Sequence, residues 1–221
     1  MDTTYFIDFD GTITTIDTTA AMARAFVSRA DFPAIMRITE LWERKELSTR
    51  ECAEQIFGYF NADLDDMLRL LETVEIDPDF LDFVDICRRE KDPIYVLSDG
   101  FDLGIRTVFK KYALDVPFYS NTMFYDDGFH VECPYANLKC GHCGVCKTSL
   151  MQRLKEPGHT CIYIGDGYSD ICPAGHADTV FAKEPLFTLC SKSDIDAVGF
   201  ASFSQIVEQL HGTAPKTKPR L

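Results

Sequence analysis

Two aspartates near the amino terminus have the spacing of a catalytic pair. Asp8 and Asp10 stand where a short apolar run ends, and an extended backbone would place both carboxyl groups on one face. One carboxylate could attack phosphorus and form a covalent aspartyl-phosphate. The other could protonate a leaving alcohol and later deprotonate the hydrolytic water. An Asx turn or a helix cap would use the same residues, so the pair alone does not decide between chemistry and local structure.

Two further segments carry groups that suit a phosphoryl group. Ser98 is predicted to end a strand, with Asp99 and Gly100 in the turn after it. A hydroxyl and free backbone N–H groups at such a turn can bind phosphate oxygens. Lys147, at the predicted start of a helix, offers a fixed positive charge. Each of these segments is common on protein surfaces, so their meaning depends on their occurring together and in this order.

A third acidic segment predicts a metal site. Asp166 and Asp170 flank a tight turn at the start of a helix. Mg²⁺ is usually held by one or two carboxylates together with water and phosphate oxygens, although either aspartate could instead cap the helix. A carboxylate that attacks an anionic phosphate needs positive charge between the two. We therefore expect Mg²⁺ on Asp8 and Asp166, with Lys147 on the opposite side.

A cysteine-rich segment precedes the lysine. It contains Cys140, Cys143 and Cys146 at every third position, with His142 among them and Cys133 seven residues earlier. Three thiolates with Cys133 or His142 as the fourth ligand would suit structural Zn²⁺. An iron–sulfur cluster is disfavoured, because the position where a fourth cysteine is expected holds Leu150. Structural zinc and free or disulfide-paired thiols are left as equal alternatives, and in the zinc version the cluster would stiffen the loop that delivers Lys147.

The elements that must position these groups alternate along the chain. Three apolar runs, residues 4–9, 93–98 and 160–165, predict buried parallel strands, and each ends at a turn rich in Gly and Asp. Apolar residues at i, i+3, i+4 and i+7 predict helices between them. Strands that alternate with helices predict an α/β fold with a mostly parallel sheet. Ligands of such sheets bind at the carboxyl ends of the strands, where the acidic turns lie.

Residues 15–76 break this alternation because they contain helical patterns only. We predict that they form a helical cap over the site, inserted into a core domain made of residues 1–14 and 77–212. Alternation around Asp126-Asp127-Gly128 predicts a small β-hairpin insertion, which together with the cysteine-rich loop is expected at about residues 119–146. Residues 213–221, rich in Pro, Lys and Thr, are predicted to form a flexible tail.

Composition restricts the partners and the compartment. The chain has 221 residues, with 35 acidic and 22 basic side chains and a net charge of −13, which disfavours nucleic-acid binding as its main task. No stretch approaches the roughly 20 apolar residues that span a bilayer, and the start does not resemble a signal peptide. Nine cysteines, an odd number, argue against a disulfide framework. We expect a cytoplasmic protein that binds neither nucleic acid nor membrane; its oligomeric state is left open.

Over nearly its whole length the chain resembles the haloacid dehalogenase superfamily of phosphohydrolases. The motifs that carry this resemblance are Asp8-Phe9-Asp10-Gly11-Thr12, Ser98-Asp99-Gly100, Lys147 and Gly165-Asp166-Gly167-Tyr168-Ser169-Asp170. The resemblance implies a Rossmann-like core, with Asp8 as nucleophile and Asp10 as acid/base. It also implies that Ser98 and Lys147 bind phosphate. The implied Mg²⁺ ligands are Asp8, Asp166 and the backbone carbonyl of Asp10, with Asp170 supporting the metal site.

The early cap and the late hairpin are similar to the phosphoserine phosphatase branch of this superfamily. The cysteine-rich approach to Lys147 resembles that of methionine-salvage phosphatases acting on 2-hydroxy-3-keto-5-methylthiopentenyl-1-phosphate. A related feature occurs in phosphocholine/phosphoethanolamine phosphatases. Phosphoserine phosphatases place a Glu near the position of Asp17 and read the substrate with an Arg, which makes Asp17 and Arg50 the candidates for a substrate-reading role in the cap.

These observations imply a Mg²⁺-dependent phosphomonoester hydrolase that acts on a small phosphate ester through an aspartyl-phosphate on Asp8. A phosphotransferase or a mutase would use the same residues. A non-catalytic, phosphate-binding regulatory module on the same fold is an alternative from a different class. The acidic pair of Asp8 and Asp10 weighs against it, because a binding module does not need both carboxylates.

Overall fold

The computed structural model describes residues 2–211. In this part of the chain helices pack on both faces of a central sheet, which confirms the predicted α/β class. The strands are β1 (Thr3–Ile7), β2 (Ile94–Phe101), β3 (Phe118–Tyr125), β4 (Phe129–Glu132), β5 (Thr160–Gly165), β6 (Thr179–Ala182) and β7 (Val198–Gly199). The helices are α1 (Thr18–Phe26), α2 (Phe32–Glu43), α3 (Thr49–Phe57), α4 (Leu64–Glu72), α5 (Phe80–Glu90), α6 (Asp102–Lys111), α7 (Lys147–Leu154), α8 (Ile171–Ala174), α9 (Leu186–Lys192) and α10 (Phe203–His211).

The strand order places the acidic turns side by side. Across the described sheet the order is β4-β3-β2-β1-β5-β6-β7, and every neighbouring pair is parallel except the β3–β4 hairpin. This hairpin, predicted from its turn sequence, is closed by the pairing of Tyr125 with Phe129. The central strand β1 pairs with β2 on one side and with β5 on the other, so the carboxyl ends of these three strands meet at one edge of the sheet.

The central strand is buried on both faces. Tyr5 and Ile7 belong to the larger core cluster, which also contains Phe80 of α5, whereas Phe6 belongs to a cluster with Leu150 of α7. Successive side chains of a strand point to opposite faces, so burial on both faces requires the near-continuous apolar run of β1. Each large apolar side chain that is fully buried contributes about 1.5–3 kcal/mol. This packing holds the end of β1, and the groups that follow it, in one position.

The second strand differs from its prediction. It does not end at Ser98 but continues to Phe101, with an irregular register against β3. Leu97 faces Tyr119 and Phe101 faces Asn121, so four steps along β2 match two steps along β3. Bulges of this kind redirect side chains and are frequent next to active sites. The segment of residues 98–100 is therefore displaced from the ladder without leaving the sheet.

Four helices, α1 to α4, occupy the interval that was predicted to form the cap. Phe57 of α3 packs against Phe101 at the end of β2 and against Phe129 of the hairpin, with ring centroids 5.2 and 6.1 Å apart. α4 packs against α6. The cap helices are thus held on the hairpin and on the end of β2. The division into a core of residues 1–14 and 77–212 and a cap of residues 15–76 stays a prediction.

The predicted tail, residues 213–221, and the end of the predicted core at residue 212 lie outside the described residues. Among the described helices, none combines the length and the apolar character needed to cross a membrane.

Candidate active site

Three aspartates form an acidic centre at the carboxyl edge of the sheet. Asp8 directly follows β1, Asp166 directly follows β5, and Asp170 lies at the end of the short turn after it. The Asp8 N–H donates to the Ile164 carbonyl at 2.8 Å, so the pairing of β1 with β5 continues up to Asp8. Carboxylate oxygens of the three aspartates lie within 4.8 Å of one another, close enough to hold one metal ion. The structure thus joins two segments that are more than 150 residues apart in sequence.

A buried lysine bridges this acidic centre. Lys147, the first residue of α7, donates from Nζ to Asp8 Oδ1 and to Asp170 Oδ1, both at 2.5 Å. Its side chain is only 1% exposed. Burial acts to lower the pKa of Lys147, but the Asp170 and Asp8 carboxylates outweigh it and raise that pKa well above its usual value. The lysine is therefore a fixed cation at neutral pH.

Asp170 is the most completely bonded carboxylate of the acidic centre. Besides Lys147, its Oδ1 accepts a hydrogen bond from the Tyr163 hydroxyl, and its Oδ2 accepts from the N–H groups of Asp166 and Gly167 at 3.0 and 2.9 Å. It is fully buried. These bonds fix the turn that carries Asp166, so Asp170 orients its neighbours.

The electrostatics of the acidic centre favour a bound cation. Burial is the largest cause, and the charge of Asp170 the next, of a pKa of Asp8 that is raised well above its usual value. The charge of Lys147 opposes both effects. Burial and Asp170 likewise raise the pKa of Asp166 to about 6. Like charges held this close disfavour each other's ionisation, and a divalent cation with oxygen ligands relieves that repulsion. The donor set therefore fits Mg²⁺.

Asp10 lies beside the acidic centre in a different environment. Its Oδ1 accepts hydrogen bonds from the backbone N–H of Thr18 at 2.9 Å and from the Thr18 hydroxyl. Burial raises the pKa of Asp10 to about 7, helped by the nearby Asp17 carboxylate and opposed by the Thr18 bonds. A group with a pKa near the working pH is suited to both give and take a proton. Asp10 thus has the properties of an acid/base group.

The bulged end of β2 approaches Asp10 closely. The Ser98 hydroxyl, fully buried, accepts a hydrogen bond from the Gly100 N–H at 2.9 Å. A Cβ atom added at Gly100 would lie 2.3 Å from Asp10 Oδ2 and 3.1 Å from Ser98 Oγ, so a side chain does not fit there. Ser98 and Gly100 therefore border the same space as Asp10. The Asp99 carboxylate, by contrast, is bonded to the protein, to Thr49 and Val145.

The two candidates for a substrate-reading role, Asp17 and Arg50, are both exposed. Asp17 is exposed and caps α1 by accepting a hydrogen bond from the Ala20 N–H at 2.8 Å. Arg50 is exposed, and its nearest ion pair is with Glu54 at 4.0 Å. A substrate-reading role for Asp17 and Arg50 stays a prediction.

The zinc prediction for the cysteine-rich segment is not supported. All nine cysteines lie within the described residues and are free thiols, and among these residues the four cysteines do not form a group that could hold a metal ion. Cys146 Sγ lies 3.0 Å from the Ser149 hydroxyl, Cys140 is exposed, and burial raises the pKa of Cys143 to about 12. Thiolate ligands must converge and be deprotonated. Regular spacing in sequence did not bring the sulfur atoms together, because their directions depend on the backbone of an irregular loop.

Four residues that support the site were not predicted. Thr18 bonds Asp10, Tyr163 bonds Asp170, and the Thr12 hydroxyl donates to Asp166 Oδ1 at 3.0 Å. Lys183 donates from Nζ to the carbonyls of Gly11 and Thr12 at 3.1 and 3.0 Å and so holds the turn after Asp10. Lys183 directly follows β6, so the rule that ligand groups gather at the ends of parallel strands could have indicated it.

Comparison with known proteins agrees with this geometry. Residues 3–186 match the family described as "Putative Phosphatase". A protein of Bacillus cereus named 2-hydroxy-3-keto-5-methylthiopentenyl-1-phosphate phosphatase is 31% identical over 210 residues, which cover 93% of this chain and 94% of that protein. A protein of the same name from Bacillus thuringiensis is 30% identical with the same coverage.

Solved structures share the fold. A phosphoserine phosphatase described as a phospho-aspartyl intermediate analogue superimposes with a TM-score of 0.70 at 18% identity, covering 94% of this chain and 98% of that chain. A phosphoserine phosphatase from T. onnurineus gives a TM-score of 0.69 at 20% identity, covering 95% and 94%. The family match, the 31% identity and the buried acidic centre agree with one another. The chain therefore belongs to the Putative Phosphatase family, and it is a phosphoric monoester hydrolase.

Proposed function

We propose that this enzyme hydrolyses a small-molecule phosphate ester through an aspartyl-phosphate on Asp8. The observation that carries the proposal is the position of Asp8 at the end of β1, bonded to the buried cation of Lys147 and surrounded by Asp166 and Asp170. A carboxylate held next to fixed positive charge can approach an anionic phosphoryl group that it would otherwise repel.

In the first half of the reaction, an Asp8 carboxylate oxygen attacks phosphorus and the bond from phosphorus to the ester oxygen breaks. The electron pair of that bond leaves with the ester oxygen, which takes a proton from Asp10. Asp10 is suited to this step because its pKa is raised to about 7 by burial. The products are the free alcohol and the aspartyl-phosphate.

In the second half, Asp10, now a carboxylate, removes a proton from water. The water oxygen attacks phosphorus, and the bond from phosphorus to Asp8 breaks. Inorganic phosphate is released, and both aspartates return to their starting states. Asp10 therefore acts first as an acid and then as a base.

Binding of the phosphoryl oxygens is assigned to groups that border Asp8 and Asp10. The Lys147 ammonium is bonded to Asp8, and the Ser98 hydroxyl and the turn at Gly100 face Asp10. Phosphatases of the haloacid dehalogenase superfamily generally use Mg²⁺. Here Mg²⁺ would be held by Asp8, Asp166 and the Asp10 carbonyl, with Asp170 orienting them. When bound, it supplies positive charge that offsets the negative charge of the transferring oxygens.

We propose an enol phosphate of the 2-hydroxy-3-keto-5-methylthiopentenyl-1-phosphate type as the substrate. The curated relatives at 30–31% identity carry this name and match over 93% of the chain. The phosphoserine phosphatases support the fold alone, because their identity is 18–20%.

The test is phosphate release from a panel of esters, with Mg²⁺ and with chelator. The panel contains the enol phosphate, phosphoserine, phosphocholine, phosphoethanolamine, a sugar phosphate and an aryl phosphate. We expect release that depends on Mg²⁺ and is fastest with the enol phosphate. Asp8→Asn should lower turnover on the order of 10⁴-fold or more, whereas Asp65→Asn, a matched change on the exposed face of α4, should not.

Three outcomes would each contradict a part of the proposal. Undiminished turnover in Asp8→Asn would overturn the assignment of the nucleophile. Consumption of the ester with transfer of the phosphoryl group to an added alcohol, and little inorganic phosphate, would identify a phosphotransferase. A preference for another ester in the panel would overturn the enol phosphate as the substrate.

A further inference from the structure

Asp99 is a partly buried carboxylate that the proposed reaction does not use. Its Oδ1 accepts hydrogen bonds from the Val145 N–H at 2.8 Å and from the Asn121 side-chain amide at 3.4 Å. Its Oδ2 accepts one from the Thr49 hydroxyl at 2.6 Å. A carboxylate next to a phosphate site would repel the anion if its free lone pairs faced it. Here both oxygens are turned toward protein donors, so Asp99 acts on the structure around the site.

The partner of Asp99 in the cap is held in place by its own helix. Thr49 is the first residue of α3, whose start is fixed by a capping box between Ser48 and Glu51. The Thr49 hydroxyl accepts a hydrogen bond from Trp42 Nε1 at 3.0 Å and donates one to Asp99 Oδ2. Thr49 is 7% exposed. The hydroxyl therefore has a fixed direction from the cap toward the end of β2.

The same part of the cap contacts the cysteine-rich loop. The Thr49 N–H donates to the His142 carbonyl at 2.8 Å, and His142 Nδ1 donates to the Leu47 carbonyl at 3.1 Å. The rings of Trp42 and His142 stack with centroids 6.0 Å apart. The cap contact, defined as Trp42, Thr49, Asp99 and His142, thus joins three segments that are distant in sequence.

The cysteine-rich loop connects the cap contact to Lys147. Val145, whose N–H is bonded to Asp99, precedes Lys147 by two residues and is 1% exposed. The neighbouring Gly144 lies so close to Asn121 that an added Cβ would be 2.3 Å from Asn121 Oδ1. Asn121 also donates to the backbone carbonyl of Asp99 at 2.7 Å. The backbone that enters α7 at Lys147 is therefore fixed by Asp99 and Asn121.

We propose that Thr49 and Asp99 are positioning residues for the phosphate site. Asp99 directly follows Ser98 and holds the loop that delivers Lys147, so it fixes the separation of the two groups assigned to phosphate binding. Thr49 supplies the hydroxyl that holds the Asp99 carboxylate in this orientation. The proposal rests on the proposed function, since it concerns the same phosphate-binding groups. In this arrangement the contact with the cap stiffens the cysteine-rich loop.

The test compares three variants of the cap. Thr49→Val removes the hydroxyl and keeps the shape, Thr49→Ser keeps the hydroxyl, and Thr39→Val is the control. The Thr39 hydroxyl bonds the Ile35 carbonyl of its own helix α2 at 3.0 Å, so its loss tests the same change away from the cap contact. We measure kcat and KM for the preferred ester and the inhibition constant for inorganic phosphate.

In Thr49→Val we expect KM and the inhibition constant for phosphate to rise about tenfold, the factor that corresponds to 1.4 kcal/mol. The change in kcat should be smaller, because Asp8 and Asp10 are untouched. Thr49→Ser and Thr39→Val should bind phosphate as the unchanged enzyme does. Wild-type phosphate binding in Thr49→Val, or an equal defect in Thr49→Ser, would overturn the proposal.

A second measurement does not depend on turnover. Amide hydrogen exchange, followed by NMR, should become faster at Val145 in Thr49→Val than in Thr39→Val. The Cys146 N–H, which donates to the Tyr135 carbonyl at 2.9 Å, provides the internal comparison and should change less. If Thr49→Val does not fold, Asp99→Asn tests the same contact from the core side and should show the same pattern.

The two measurements separate this proposal from the proposed function. If the unchanged protein releases no phosphate from any ester, the proposed function fails, and Val145 exchange together with binding of inorganic phosphate still decides the positioning role. Exchange at Val145 that is equal in all three variants would overturn that role even in an active enzyme.

Discussion

Aspartate side chains lie in opposite environments at Asp99 and at the acidic centre formed by Asp8, Asp166 and Asp170. At the cap contact, one carboxylate has both oxygens bonded to neutral donors, from Thr49, Val145 and Asn121. At the acidic centre, three carboxylates face one another, and two of them, Asp8 and Asp170, bond the cation of Lys147. In the first arrangement the hydrogen bonds compensate the charge of the Asp99 carboxylate and hold the surrounding segments in position. The second leaves excess negative charge in a buried place, and such sites are candidates for reaction because their groups are easily changed by protons or cations.

The largest difference between the two regions should appear when the shared cation is removed. Lys147→Met leaves two buried carboxylates without their partner, which should lower the free energy of unfolding by about 3–5 kcal/mol. Urea denaturation in the presence of chelator measures it. Lys155→Met is the control, because the Lys155–Asp178 pair is exposed and should contribute less than about 1 kcal/mol. Equal losses in the two variants would show that the acidic centre does not depend on its lysine.

A bound metal should stabilise the acidic centre and leave the cap contact unchanged. At a Mg²⁺ concentration about 100 times its dissociation constant, binding stabilises the folded state by about 2.7 kcal/mol. For a chain of this size that corresponds to a rise in Tm of about 5–10 °C. Asp166→Asn should lose this rise, whereas Asp65→Asn should keep it, with NaCl at equal ionic strength as the reference. A full Mg²⁺ shift in Asp166→Asn would remove Asp166 from the set of ligands.

Asp10 should make stability depend on pH in the direction set by its raised pKa. Burial raises that pKa from 3.8 to about 7. The folded protein therefore keeps a proton that the unfolded chain releases, and stability is lost as the pH rises from about 4 to about 7. Asp10→Asn lacks this loss, so in chelator it should be more stable than the unchanged protein at pH 8, on the order of 2 kcal/mol.

The check on this prediction is denaturation at pH 5 and pH 8. The advantage of Asp10→Asn should be smaller at pH 5, and turnover should fall about 10²–10⁴-fold at both values. An advantage that is the same at both pH values would mean that Asp10 does not hold its proton in the folded state.

The smallest effect should come from the neutral donor of the acidic centre. Tyr163→Phe removes one hydrogen bond to Asp170, which keeps Lys147 and two backbone N–H donors. We expect a loss of about 1 kcal/mol in the free energy of unfolding, from the same denaturation experiment as for Lys147→Met. A loss as large as that of Lys147→Met would show that the hydroxyl, rather than the cation, holds the centre together.

The parts of the site that lie at strand ends could be predicted from the sequence. Asp8 and Asp166 follow apolar runs that fold as β1 and β5, and parallel pairing brings the ends of such runs to one edge of the sheet. The pattern of buried strands thus predicted both the α/β fold and the approach of two segments distant in sequence. The prediction of the α/β class is confirmed, because strands buried on both faces leave near-continuous apolar runs in the sequence.

The contacts that support these residues could not be predicted in the same way. Tyr163 occupies an inward position of β5 where any large apolar residue would fit the pattern, and its hydroxyl has a role only because Asp170 folds back onto it. Thr49 and His142 meet through backbone groups across the cap and an irregular loop. The zinc alternative for the cysteines is not supported for the same reason, since sequence spacing does not determine side-chain directions in a loop.

The ring of Trp42 gives the cap contact an optical property. The chain contains a single tryptophan, and this ring stacks on His142 and donates to Thr49. All tryptophan emission of the protein therefore originates at the place where the cap meets the loop leading to Lys147. The molecule carries its own fluorescent reporter of that contact, with no label to attach and no second indole to subtract.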